Sequence, residues 1–198
     1  METKELFLHH AKLIFADLGF HGASMGNIAK ASGKNKATLY HYFKSKNELY
    51  YEILDATFVV FNETLNANIQ AQSSYEKQIR SFIKTLIELD ILTARTIYRL
   101  TLDGVNNLPS SIKESFDLRE KIFAKIFKNG IANGEFKMMN PKNIYYFLVG
   151  SCFEYIFEFC FNKQIENKEK FDKPNSEFID ELSTIILDAI ALKEDIVL

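Results

Sequence analysis

Five lysines fall between Leu18 and Asn47, at Lys30, Lys34, Lys36, Lys44 and Lys46, and no aspartate or glutamate accompanies them. The whole 198-residue chain carries −2, so with +5 in this window the remainder carries −7. A local basic face on an acidic chain suits a polyanion, because lysines release counterions from phosphates and the effect depends on local charge. Among the lysines stand residue types that meet base edges: Lys36 can donate to guanine, Ala37 can touch a thymine methyl, and Thr38 can serve base or phosphate. On charge alone, a solvated lysine face without a partner looks the same. Other chemistry is absent. There is no nucleophile with a base motif, no phosphate-cradling glycine loop and no metal-ligand cluster, so neither catalysis nor a cofactor is expected. His9 and His10 are adjacent, point about 100° apart on a helix and make poor co-ligands. Cys152 and Cys160 are eight apart on one expected helix, too far along its axis to bridge.

The elements that must present this face are short. A first helix is expected over Thr3 to Leu18, ended by Gly19. Ser24 stands where an N-cap is wanted, before a second helix with Met25, Ile28 and Ala29 as its apolar face and Ala31 as its close. Ser32, Gly33 and Lys34 make a turn. Asn35 can cap a third helix running through Phe43, with Leu39, Tyr40 and Phe43 on one side. Two short helices joined by a glycine-bearing turn read as helix-turn-helix.

A long fourth helix starts near Lys46, carries Leu49, Ile53, Ala56, Val60 and Leu65, and meets no Pro or Gly, which predicts rigid coupling to the remainder. Further helices are expected at about Tyr75 to Asp90, Thr93 to Asp103, Pro109 to Asn133, Pro141 to Gln164 and Ser176 to Lys193. Pro109 and Pro141 sit at first helical positions, Gly104 and Gly134 in breaks, and residues Asn167 to Asn175, with Pro174, form a polar linker. No strand pattern competes. With 47% apolar and 25% charged residues the chain should bury a real core. The N-terminus lacks a signal-peptide pattern, and the nearly apolar stretch Ile144 to Phe161 contains Glu154 and Glu158, both costly in a bilayer, so a cytoplasmic protein without membrane contact is expected.

Eighteen phenylalanines and nine tyrosines, with no tryptophan, weight the C-terminal part. On the helix around residue 150, Val149, Phe153, Ile156 and Cys160 share one face, and Leu148, Cys152, Tyr155 and Phe159 the neighbouring one; such a helix is buried on more than one side. The final helix has a matching stripe, Phe178, Leu182, Ile185, Ile186, Ala189 and Ile190. Ser151, Glu154, Glu158 and Asn162 form a narrow polar stripe, which is either a solvated edge, the preferred reading since unpaired carboxylates are costly to bury, or the wall of a cavity for a cationic aromatic ligand.

The segment Gly19 to Leu49 resembles the DNA-binding signature of the TetR family. Gly19, Ser24, Ile28-Ala29, Gly33, Thr38-Leu39-Tyr40, Tyr42-Phe43 and Ser45-Lys46 follow the family's order and spacing. Lys34 departs from the usual small apolar turn residue, Gly26 from a polar or basic side chain and Asn27 from a common acidic one, so different phosphate contacts are expected. The resemblance implies an all-α fold: a three-helix, homeodomain-like helix-turn-helix domain over 1–47 and a helical-bundle domain over 48–198. It assigns DNA binding to Ser24, Lys34, Asn35, Lys36, Ala37, Thr38, Tyr40, His41 and Lys46, with Tyr40, His41 and Lys46 on phosphates and the amide end of the fourth helix favouring an anion. It implies a homodimer through the last two long helices, for which Phe153, Ile156, Cys160, Phe178, Leu182, Ile186 and Ile190 are the candidates. It implies a pocket for a small hydrophobic or aromatic effector, with Phe82, Tyr98, Phe123, Phe153, Glu154 and Phe157 as lining. The partners are then a double-stranded DNA operator, an effector and a second copy of the chain. A ligand-independent DNA-binding protein or an activator is the alternative.

Overall fold

The structure, a computed structural model, describes residues 2–103, 108–158, 160 and 176–192. The expectations at Gly104, Phe159, Phe161, Asn162, Gln164, Asn167 to Asn175 with Pro174, and Lys193 lie outside the described residues. The described chain is helical: α1 (Thr3–Gly22), α2 (Met25–Ala31), α3 (Lys36–Tyr42), α4 (Lys46–Gln70), α5 (Tyr75–Ile87), α6 (Ile91–Leu102), α7 (Ser110–Ala132), α8 (Pro141–Phe157) and α9 (Ser176–Ile190). Between the helices, Phe136 and Ala191 form an isolated antiparallel bridge.

Side-chain caps mark where helices start. Ser24, Asn35, Ser74, Asp90 and Asn140 each accept a hydrogen bond from a backbone N–H in the first turn that follows, satisfying donors that have no intrahelical partner. Asp90 explains a difference from expectation. Its carboxylate accepts from Thr93 N–H at 3.0 Å, so α5 stops at Ile87 and α6 begins at Ile91, not at Thr93. α1 continues to Gly22, yet its path breaks at Gly19, where φ is 71° and ψ 177°.

The residues cluster into two compact units, one of Met1–Val60 with Asp90–Ser115, the other of Phe61–Leu89 with Phe116–Leu198. In the first, Phe7, Phe15, Ile28, Leu39, Phe43, Leu49 and Tyr50 are fully buried, and the Tyr50 ring lies 4.7 Å from Phe15 and 5.1 Å from Phe20. α6 is fastened to α1 by polar bonds: Arg99 Nη2 donates to Asp17 O at 2.6 Å, and Phe20 N–H donates to the Asp103 carboxylate. In the second unit, α5, α7, α8 and α9 enclose an aromatic and aliphatic core containing Phe82, Phe123, Phe127, Tyr145, Leu148, Leu182 and Ile186. Cys152 belongs to it, and burial pushes its thiol pKa up to about 12; Cys160 is buried as well.

Two outcomes follow. Gly19→Ala places a Cβ at positive φ and 2.6 Å from Asp103 Oδ1, and should lower stability by about 1–3 kcal/mol; Gly26→Ala, with nothing nearer than Ser24 Oγ at 3.8 Å, should be neutral or mildly stabilising. Urea unfolding of both variants checks this. At Asp90, burial pushes the carboxyl up, but bonds from Thr93 and the Lys12 charge outweigh it and hold the pKa below its ordinary value. A depressed folded-state pKa contributes stability above the unfolded value and loses it as pH falls through the folded value. The stability gap between wild type and Asp90→Asn should therefore be full near neutrality and close in acid, below the ordinary carboxylate range, in a pH series of thermal melts.

Candidate nucleic-acid interface

α2 and α3 are set against each other by a tight turn. Gly33 takes φ 63°, and Gly33 N–H and Lys34 N–H donate back to Lys30 O at 3.1 Å and Ala29 O at 3.0 Å, closing the end of α2 in the left-handed manner that glycine allows. Leu39 and Phe43, both fully buried, pin α3 from inside. The opposite side of α3 is open: Lys36, Ala37, Tyr40 and His41 are exposed, as are Lys34 and Asn35 just before them, while Thr38 is half-buried. Lys36 Nζ stands 5.6 Å from the Tyr40 ring centroid, holding cation and phenol on one surface. Tyr42 faces both ways, 39% exposed with its ring 5.9 Å from Phe7. Lys30 and Lys44 are exposed.

Ser24 Oγ accepts from Asn27 N–H at 3.1 Å, which leaves its own hydrogen to donate. Asn35 Oδ1 accepts from Thr38 N–H at 2.7 Å and from Thr38 Oγ1 at 2.9 Å. Lys46 is placed differently from the phosphate contact that the resemblance implies: Nζ donates to Phe20 O at 2.6 Å and Ala23 O at 3.0 Å and lies 4.3 Å from the Phe20 ring centroid. Two of the ammonium's three donors are thereby committed to the end of α1. The start of α4 also meets a carboxylate from within the chain. Glu48 N–H donates to Ser45 Oγ at 3.1 Å while Lys44 N–H donates to Glu48 Oε2 at 2.7 Å, a cap whose return bond comes from the residue before Ser45.

Residues missed from sequence surround the end of α1. Arg99 bonds Asp17 O, Asp103 takes Phe20 N–H, and His21 Nε2 donates to Asp103 O at 3.0 Å. The Tyr50 phenol is buried near them, and burial first, then the Asp103 charge, pushes its pKa far up. These pairs lie 82 or 83 residues apart, beyond any local signal.

Of the candidate dimer residues in the second unit, Leu182, Ile186 and Ile190 belong to the core cluster, and Ile156 and Cys160 are buried too. Phe153 and Phe178 are half-buried, the Phe178 ring stacked on Tyr155 at 3.9 Å. The large apolar residues that α8 and α9 turn outward are Tyr146, Phe147 and Ile185, each more than half exposed. Of the candidate effector residues, Phe82 and Phe123 come together, ring centroids 5.3 Å apart, with Tyr145 beside both. Tyr98 is buried in the other unit. Phe153 and Phe157 are half-buried, whereas Glu154 and Glu158 are exposed, the placement of a solvated edge. A buried cation escaped sequence reasoning: Arg119, 7% exposed, has its guanidinium 4.5 Å from the Phe116 ring and 5.4 Å from Phe61, and burial lowers its pKa. A cleft of about 330 Å³ opens over Phe136 and Leu187, with Glu76, Arg80, Glu135 and Asp188 on its walls; none of the candidate effector residues lines it. Among the described residues no group of three or more His, Cys, Asp and Glu is placed to hold a metal, and no helix is long and apolar enough to cross a membrane.

A helix pinned by its inner face, offering a lysine, a phenol and an imidazole outward behind a capped turn, is the arrangement of a helix-turn-helix motif. The family model for bacterial regulatory proteins of the tetR family matches residues 7–53, a span holding the whole motif and the start of α4. The probable HTH-type transcriptional regulator YttP of Bacillus subtilis is 28% identical over 149 residues, covering 69% of this chain and 68% of YttP. The HTH-type transcriptional repressor KstR2 of Mycolicibacterium smegmatis is 26% identical over 141 residues, 68% of this chain and 67% of its own length. Among solved structures, FadR of Bacillus subtilis in complex with stearoyl-CoA shares the fold, with a TM-score of 0.69 at 20% identity over 93% of this chain and 95% of FadR. Residues 7–53 thus match the DNA-binding part of the tetR family, and the relatives that extend over about two thirds of the chain are HTH-type transcriptional regulators.

Lys46→Met should remove a charged donor from two carbonyls and lower stability by about 1–3 kcal/mol, whereas Tyr40→Ala, on the outer surface, should stay within about 0.5 kcal/mol of wild type. Urea unfolding of the two variants separates fastening from contact.

Proposed function

We propose that the chain is a ligand-responsive repressor that binds a near-palindromic operator as a two-fold dimer and leaves it when a small hydrophobic or aromatic effector binds. The observation that carries the DNA side of this reading is the exposed row Lys34, Asn35, Lys36, Ala37, Tyr40 and His41 on a scaffold whose inner side chains are fully buried. α3 enters the major groove, where Lys36 and Ala37 meet base edges, and Tyr40, His41 and the Ser24 hydroxyl hold phosphates. Lys46 contributes mainly by fixing the end of α1. Residues 1–47 bind DNA, and residues 48–198 dimerise and sense in a cytoplasmic protein.

The dimer reading rests on the outward apolar side chains Tyr146 and Phe147 of α8 and Ile185 of α9, which a second copy would cover to build a four-helix interface. Two recognition helices would then stand about one DNA turn apart. The effector reading is supported by the aromatic interior of the second unit and by the ligand in FadR. One observation favours the rival, a DNA-binding protein whose second unit only dimerises: Phe82 and Phe123 are fully buried in close ring contact, as in a packed core. A thermal-shift screen distinguishes them, because a specific ligand raises the melting temperature by mass action.

Fluorescence anisotropy with the chain's own promoter region, across a salt series, should give sequence-preferring binding that weakens steeply with salt and that Tyr40→Ala reduces on every duplex. Binding no tighter than to random DNA overturns the regulator reading. Light scattering at micromolar concentration should give twice the monomer mass, and Phe147→Glu with Ile185→Glu should give the monomer; a strictly monomeric wild type defeats the dimer.

A further inference from the structure

Hydrogen-bond roles at the start of α3 determine what one of its residues can read. Thr38 N–H donates to an Asn35 side-chain atom at 2.7 Å. An N–H can only donate, so that atom is the amide oxygen and the orientation of the amide is fixed. Thr38 Oγ1 lies 2.9 Å from the same atom. An amide oxygen can only accept, so the single hydroxyl hydrogen of Thr38 is committed to it, and Oγ1 offers lone pairs alone to an incoming partner. A phosphate oxygen at neutral pH has no hydrogen to give. Contact between the two would set lone pairs against negative charge unless the hydroxyl first left Asn35. The major-groove groups that complement an acceptor are the exocyclic amines, N6 of adenine and N4 of cytosine.

We propose that Thr38 reads a base, accepting a hydrogen bond from the exocyclic amine of an adenine or cytosine at one position in each half-site, and does not hold a phosphate. The assignment rests on the DNA-binding reading above and adds to it a specificity residue and the class of base. Its position agrees: Thr38 is the third residue of α3, beside exposed Ala37 and one turn before exposed His41, in the part of a recognition helix that meets base edges. Ser24 shows the opposite polarity, for its Oγ already accepts from Asn27 N–H and keeps a hydrogen to donate.

The experiment is selection of bound duplexes from a random pool with the full chain, comparing wild type, Thr38→Val and Thr38→Ser, each first checked for an intact unfolding transition. Valine keeps the shape and the backbone bond to Asn35 but has no hydroxyl; serine keeps the hydroxyl. Wild type and Thr38→Ser should enrich adenine or cytosine at one half-site position. Thr38→Val should lose about threefold to tenfold of that discrimination, with affinity for unselected DNA unchanged. Replacing that base pair in the selected site should weaken wild type and leave Thr38→Val nearly indifferent. A Thr38→Val protein weakened equally on every duplex marks a phosphate contact and overturns the proposal, as does an unchanged selected sequence, which marks a purely structural hydroxyl. Should Thr38→Val fail to fold, an analogue lacking the amine at that position decides with wild type alone: undiminished binding overturns the proposal. A wild type that enriches no sequence overturns the regulator reading itself, a failure visible before any variant is compared.

Discussion

A helix that ends inside a protein leaves its last carbonyls without donors, and the end of α1 meets that demand with side chains from two other helices. Arg99 of α6 takes Asp17 O, and Lys46 of α4 takes Phe20 O and Ala23 O. Asp103, after α6, accepts the Phe20 N–H beyond the break at Gly19. Without this junction the carbonyls would be left to compete for water beside Phe15, Phe20 and Tyr50. With it, α1, α4 and α6 hold one arrangement, and the short helices α2 and α3 have a fixed surface to pack on. Seven-residue helices are too short to persist alone, so the recognition surface exists only because its inner side chains, Ile28, Leu39 and Phe43, have that surface to fill.

What was legible in the sequence was local. Ser24 and Asn35 stand one residue before the helices they cap, and Gly33 sits in the turn that needs positive φ; type and spacing were sufficient to place them. The helix-turn-helix and the all-helical class followed. Asp90 obeyed the same capping rule, but the apolar run Ile91-Leu92 after it blurred the boundary. Lys46 shows what local reading leaves out: the Phe20 and Ala23 carbonyls that hold it lie 26 and 23 residues away.

The C-terminal helices show a second kind of ambiguity. Periodicity says which residues avoid water, not which surface does the covering. Ile156 on α8 and Leu182, Ile186 and Ile190 on α9 fill the interior of their own chain, while Ile185 of the same α9 stripe points outward, as do Tyr146 and Phe147 of α8. Arg119 is a related case. A charged residue on a helix reads as surface, and only the rings of Phe61 and Phe116 reveal that its guanidinium is enclosed.

The two cysteines bear on how the molecule can be handled. Both are buried, and burial pushes the Cys152 thiol pKa up to about 12, which makes the thiolate, the form that attacks electrophiles, scarce at neutral pH. An alkylating or maleimide reagent would therefore pass over that site in the folded chain. A cysteine introduced at an exposed position such as Lys34 would outcompete it, so that a fluorophore or spin probe can be attached there without first deleting Cys152.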